Sequence, residues 1–191
     1  NDVGIAKLTE LICENQPIKF GRIYFAEKLV NSYSYSDRTA NRVYVIGQAS
    51  RLIPDLTVTD NVFVLRKGFG KFIVEPDVLA RQLDILMKEL GIYIDPYKYC
   101  SELSEYERCL AEMLKAIVQG VKLMIMEDIG NILSASDLEK MKKIMTQLIR
   151  KDYSVLYIGR HHEELFTFCT RVIFMKDGQA VKLFENSELT D

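Results

Sequence analysis

Short apolar runs bounded by polar turns punctuate the chain. RVYVI (residues 42–46), KLMIM (122–126) and SVLYI (154–158) are continuous rather than alternating, the pattern of strands buried on both faces of a parallel sheet. Two further runs, RVIFMK and AVKLF, meet at Asp177-Gly178, a dipeptide that predicts a tight hairpin near the C-terminus. Between these lie helical patterns. Residues 4–13 put Ile5, Leu8, Leu11 and Ile12 on one face, and residues 78–90 do the same with Leu79, Leu83, Leu86 and Leu90. Residues 105–118 and 136–149 are similar, and 163–169 predict a short helix. Strands alternating with helices predict an α/β fold around a parallel, doubly wound sheet. Residues 60–119 hold helices and no convincing strand, too long a stretch for a simple crossover, so they read as a helical insertion. There are no internal repeats and no low-complexity segments.

Composition narrows the class. The chain has 191 residues, 48% hydrophobic and 27% charged, as expected of one globular domain. Folding at this length buries roughly 70% of the unfolded surface, enough for a core without staples. Lys and Arg number 25 against 27 Asp and Glu, a net charge of −2 that argues against wrapping nucleic acid. No uncharged run approaches the ~18 residues of a membrane span, and no signal peptide is visible. Cys13, Cys100, Cys109 and Cys169 lie far apart without zinc spacing and read as reduced thiols of a cytoplasmic protein. The chain opens on Asn1 rather than Met, so it reads as part of a longer one.

Several places could carry chemistry. Met126-Glu127-Asp128 ends an apolar strand on two carboxylates, and in open α/β sheets ligands sit beyond the carboxyl ends of the strands. One acid there could hold Mg²⁺ and the next could orient a water beside a phosphate. A solvated turn of acids is the alternative on this feature alone. Ser104 with Glu107 forms a capping box. A helix start also binds phosphate, but Glu105 and Glu107 already supply negative charge, so capping is the reading the residues favour. Arg160-His161-His162-Glu163-Glu164 lacks the second His at i+4 of a zinc helix, so no metal site is assigned. Gln48, just past the first strand, is placed to reach a ligand at the strand ends. Lys140, Lys142 and Lys143 read as a solvated helix face.

In order and spacing, these segments resemble the ATP-binding cassette ATPases of ABC transporters, above all the ribose- and galactose-type sugar importers. Gln48 followed by Leu52-Ile53-Pro54-Asp55-Leu56-Thr57-Val58 and Asn61-Val62-Phe63 is similar to the Q-loop and the LTV-x-EN stretch after it. Leu103 through Glu107 stands where the LSGGQ signature belongs, the strand ending in Glu127-Asp128 resembles Walker B, and Tyr157-Ile158-Gly159-Arg160 resembles the H-loop strand. Arg171-Val172 and Lys176-Asp177-Gly178-Gln179 continue the pattern. The opening residues fall where the family has the end of Walker A, N-G-x-G-K-S-T-L, with spacing to Gly21-Arg22-Ile23 kept.

The resemblance implies a P-loop NTPase-like, ABC-cassette α/β fold: a parallel sheet core of residues 1–59 and 120–191 and a helical subdomain at 60–119, hinged at Gln48. In the family that subdomain meets a membrane permease, and two cassettes pair head to tail. Leu52, Ile53, Leu56 and Val62 could serve the permease contact or pack the subdomain. The chemical positions depart from the family. Gly4 is kept, but the phosphate-gripping Lys is Ile5, the Mg²⁺-binding Ser is Ala6, and Asp2 replaces a Gly. Lys7 lies two residues on, about 200° around the helix from the family's Lys. The Walker B pair runs Glu127-Asp128 instead of Asp-Glu, leaving the catalytic carboxylate one methylene short. Tyr106 stands for the signature Gly, Glu107 for its Gln, and Arg160 for the H-loop His, with His161 one residue late. These losses imply weak or absent binding of ATP and Mg²⁺ and a non-hydrolysing pseudo-ATPase that acts as a regulatory or interaction module. Two alternatives stay open: a working subunit of a sugar-type importer, paired with a second cassette and a permease, and a sensor fused to a transcriptional regulator. In neither does this domain itself touch nucleic acid.

Overall fold

The computed structural model describes residues 2–13, 20–22, 24–25, 28–29, 43–64, 75–160 and 162–185. They fall into two compact units, one from residues 1–43 with 161–191 and one from 44–160.

The larger unit is built on a three-stranded sheet ordered β3-β4-β5: Val43–Ile46, Leu123–Glu127 and Ser154–Ile158. β4 and β5 are parallel, in register from Leu123 opposite Ser154 to Glu127 opposite Ile158. β4 lies between two neighbours, and Met124, Ile125 and Met126 have no exposed surface at all, which is why this run shows no alternation. β5, expected to be equally buried, is not: only Tyr157 is buried along it. Among the described residues β5 pairs with β4 alone, so it is an end strand.

Between β3 and β4 the described residues form α2 (Val58–Phe63), α3 (Pro76–Leu90), a 3-10 turn (Cys100–Glu102) and α4 (Glu105–Val118), with no strand among them. The helices expected over residues 78–90 and 105–118 form. α3 starts with Pro76 in its first turn, where the missing N–H costs nothing, and buries Leu79, Ala80, Leu83, Met87 and Leu90. Met87, not the expected Leu86, carries that face, because the stripe drifts at 3.6 residues per turn. α2 is too short to show periodicity in sequence. Its first amides find acceptors on another segment: Val58 donates to Lys98 O and Thr59 to Pro96 O, both at 3.0 Å, and Asp60 donates to the Thr57 hydroxyl. α5 (Ala135–Ile149) returns the chain from β4 to β5 and buries Leu138, Met141, Ile144, Met145 and Leu148, while Lys140 and Lys143 face solvent. No described helix is long and apolar enough to cross a membrane.

The smaller unit holds α1 (Asp2–Cys13), a short antiparallel pair β1-β2 (Tyr24–Phe25 and Lys28–Leu29) that the sequence pattern did not indicate, α6 (His162–Phe168) and the hairpin β6-β7 (Arg171–Lys176 and Gln179–Glu185). The hairpin closes on Asp177 (φ 51) and Gly178 (φ 77), the two left-handed positions that this tight turn needs. Phe174 sits between Phe166 and Phe184, ring centres 6.1 and 5.5 Å away.

Leu83 has no exposed surface. Leu83→Ala is expected to cost about 2–5 kcal/mol. Lys143→Ala on the exposed face of α5 should change stability by less than about 0.5 kcal/mol. Urea unfolding of the two variants side by side checks this.

Candidate functional site

The carboxyl ends of the three strands come together. A Cβ on Gly47, just past β3, would lie 3.0 Å from the carbonyl oxygen of Glu127 and 3.3 Å from its Cβ, so β3 and β4 end side by side and run the same way. That close approach is the reason for glycine at 47, which sequence reasoning passed over in favour of its neighbour Gln48. Gln48 itself is exposed. Asp128 follows β4 in the left-handed region (φ 49, ψ 33), which Asp tolerates better than most residues, and leads into a 3-10 turn, Ile129–Asn131. Its amide donates to Ile158 O at 2.8 Å, which ties the ends of β4 and β5 together. Its carboxylate, about one-fifth exposed, forms an ion pair with Arg160 Nε at 3.4 Å. The acid that follows β4 and the arginine that follows β5, two positions marked by the resemblance, therefore face each other. Glu127 is half-buried beside Gly47.

The start of α4 is capped as the residues predict. Ser104 Oγ accepts from the Glu107 amide at 3.3 Å, and Glu107 Oε2 accepts from the Ser104 amide at 2.8 Å. Lys98 Nζ adds donors at 2.9 and 3.1 Å. Partial burial pushes the Glu107 carboxyl up, but the hydrogen bonds from Lys98 and Ser104 outweigh it and hold the group below the usual carboxylate range. An anion already occupies this helix start. Tyr106, which the resemblance sets against the signature Gly, lies half-buried with Lys140 Nζ 5.2 Å from its ring centre.

The loop that carries Gln48 is held by side chains that sequence reasoning did not single out. Glu112 Oε1 accepts from Ser50 Oγ at 2.9 Å, from the Arg51 amide at 3.0 Å and from Arg108 Nη1 at 3.3 Å. Lys115 Nζ donates to Arg51 O at 3.0 Å. Burial pushes the Glu112 carboxyl above its ordinary value and pulls the Lys115 ammonium below its own. Further along, Asn61 is fully buried. Its Oδ1 accepts from the Ile53 amide at 2.7 Å, and its Nδ2 faces Ile53 O, Leu56 O, Thr57 O and Cys100 Sγ at 2.9–3.3 Å. Leu52 and Val62 are buried and pack the unit, whereas Ile53 is 45% exposed. In sequence, only the helical phase of Glu112 and Lys115 hinted at these roles, since it places them among the apolar residues of α4.

In the smaller unit, Lys7 is exposed and pairs along its own helix with Glu10 at 2.8 Å. Gly4, Ile5 and Ala6 lie on α1, and their side chains are outside the described residues, as is His161. Burial pushes the Cys109 thiol to about 12 and raises those of Cys100 and Cys169.

No family model matches the chain. It is 26% identical over 191 residues to the ribose import ATP-binding protein RbsA of Rhodococcus jostii, covering all of this chain and 38% of that one. It is 31% identical over 193 residues to the arabinose import ATP-binding protein AraG of Pseudomonas fluorescens, covering 37% of that protein. The chain thus spans well under half the length of these relatives. Among solved structures it is similar to cbiO1 from Clostridium perfringens, part of the ABC transporter complex cbiONQ, with a TM-score of 0.82 at 18% identity over 99% of this chain and 75% of that one. It is also similar to MJ1267, an ATP-binding cassette of an ABC transporter in its ADP conformation, with a TM-score of 0.79 at 16% identity over 99% of this chain and 79% of that one. Both the α/β P-loop NTPase-like fold and the resemblance to ABC sugar-importer ATP-binding proteins hold along the whole chain.

Because Glu107 titrates low when folded, its contribution to stability is full above the unfolded carboxyl value near 4.3 and is lost as pH falls through the lower folded value. The stability gap between wild type and Glu107→Gln should therefore shrink as pH drops from 6 to 3, as followed by thermal unfolding. Asn61→Asp, which turns an acceptor toward three carbonyls, should destabilise more than Asn61→Ala, itself expected to cost about 2–4 kcal/mol. Chemical denaturation of the pair checks the order.

Proposed function

We propose that this chain, whose fold is that of an ATP-binding cassette, is a sugar-importer-type cassette that has given up ATP hydrolysis and serves as a regulatory or interaction module. The Asp128–Arg160 ion pair carries the reading. A carboxylate that is to orient an attacking water beside a phosphate has to stay open to that water. Here the residue in its place is a shorter acid turned to a guanidinium, which occupies the position where the family has His.

Two further observations support it. Two of the amides that open α4, those of Ser104 and Glu107, are taken by the capping box, and the Glu107 negative charge at that helix start opposes a phosphate. At the Walker A positions Ile5 and Ala6 carry neither an ammonium for the phosphates nor a hydroxyl for Mg²⁺, and Lys7 is paired with Glu10. The residues at these places do not fit Mg-ATP chemistry, and no hydrolytic step is assigned to them. The module would act on the cytoplasmic side, against a second cassette, a permease or a fused regulatory domain.

The test is Mg-ATP turnover and thermal stability of the full-length protein. Turnover at the no-enzyme background and no shift in melting temperature with millimolar Mg-ATP are expected. A ligand at ~100 times its Kd adds about 2.7 kcal/mol, a shift of roughly 5–10 °C for a domain of this size. A shift of that size, or turnover abolished by Asp128→Asn, would overturn the proposal.

A further inference from the structure

The loop past β3 has its backbone satisfied from one helix. The side chain of Arg51 leaves it an exposed residue, but its amide and carbonyl are part-buried and need partners. Both are taken by α4: the amide by Glu112 at 3.0 Å and the carbonyl by Lys115 at 3.0 Å, with the Ser50 hydroxyl on Glu112 at 2.9 Å. Glu112 and Lys115 stand three apart on α4, so they present an acceptor and a donor on neighbouring positions of one face. Both are buried, Glu112 completely and Lys115 to 5% exposure. Taking an acid and an ammonium out of water is costly unless both are met by partners, and here the loop supplies them. From outside, the Arg51 guanidinium lies 5.5 Å from the Tyr44 ring centre on β3, so the same residue is anchored to the sheet as well.

We propose that Glu112 and Lys115 are positioning residues that lock the Gln48 loop to the helix opened by Ser104 and Glu107, so that loop and helix move as one piece. The functional meaning of that coupling rests on the reading of Gln48 and Ser104 as nucleotide-site positions. The lock itself is a property of the fold. Two residues separate Gln48 from Arg51, so a displacement at the start of α4 reaches Gln48 through two buried side chains and one short stretch of backbone. Glu112 makes all its hydrogen bonds through Oε1, and Oε2 has no partner among the described residues. A glutamine at this position keeps the Oε1 acceptor, removes the charge and sets an amide NH2 where Oε2 has no partner, whereas leucine fills the space and loses the grip.

Hydrogen–deuterium exchange of the full-length protein without nucleotide tests this. Glu112→Leu and Lys115→Met are expected to raise exchange at residues 48–52 at least tenfold, with α3 and β4 unchanged. Glu112→Gln should stay within twofold of wild type in the same loop. Wild-type exchange at 48–52 in Glu112→Leu and Lys115→Met would overturn the proposal. So would an equal rise in α3 and β4, or a Glu112→Gln loop as fast as the leucine variant, either of which means a general packing role. Repeating the exchange with Mg-ATP bears on the proposed function alone, since an absent nucleotide response leaves these comparisons standing.

Discussion

A charge taken fully out of water must be met by partners, and in this molecule that constraint falls on α4. The helix buries Leu110, Ala111, Met113, Leu114 and Ala116, and along with them Arg108, Glu112 and Lys115. An uncompensated carboxylate at 112 would cost several kcal/mol. The available donors are a hydroxyl and an amide from the loop after β3 and the Arg108 guanidinium one turn back. The loop is thus fixed by a helix whose register is set by its own apolar face, and the strand ends follow the loop. Asn61 extends the same logic: one buried amide gathers the backbone of residues 53–57 and, through Cys100, the turn that precedes α4.

The places where the family resemblance puts chemistry are occupied from within. Asp128 faces Arg160, Glu107 caps its own helix with help from Lys98, and Lys7 pairs with Glu10. Each pair satisfies charge locally, with both partners still reached by water. Surface ion pairs contribute about 0–1 kcal/mol, so these are no pillars of stability. They bear on what an incoming phosphate or metal would meet.

What the sequence disclosed was local. β5 runs over the residues its apolar run indicates, α4 starts and ends as read, the Ser104–Glu107 cap is formed, and Asp177-Gly178 closes its hairpin. Each of these is decided within a few residues. α2 escaped because the groups that satisfy its first amides come from residues 96 and 98, distant in the chain. Glu112, Lys115, Asn61 and Gly47 escaped for the same reason: a polar side chain inside an apolar stripe, or a glycine at a strand end, acquires its role only when another segment arrives. β5 has less burial than its composition suggests because burial counts neighbours, and composition does not. The strand-end acids were read as a place for chemistry, but whom Asp128 would face could not be read from the residues beside it.

If hydrolysis has been given up as proposed, the pairing of Asp128 with Arg160 bears on how reversible such a site is over evolutionary time. Lengthening the acid alone leaves a guanidinium within reach of the longer carboxylate. Restoring histidine alone at 160 strips the acid of its cation while it stays one methylene short. Neither substitution by itself rebuilds an open carboxylate beside a neutral imidazole, so the route back passes through an intermediate with no advantage. On that reading, drift at such a site is undone only when both residues change together: a ratchet rather than a slope.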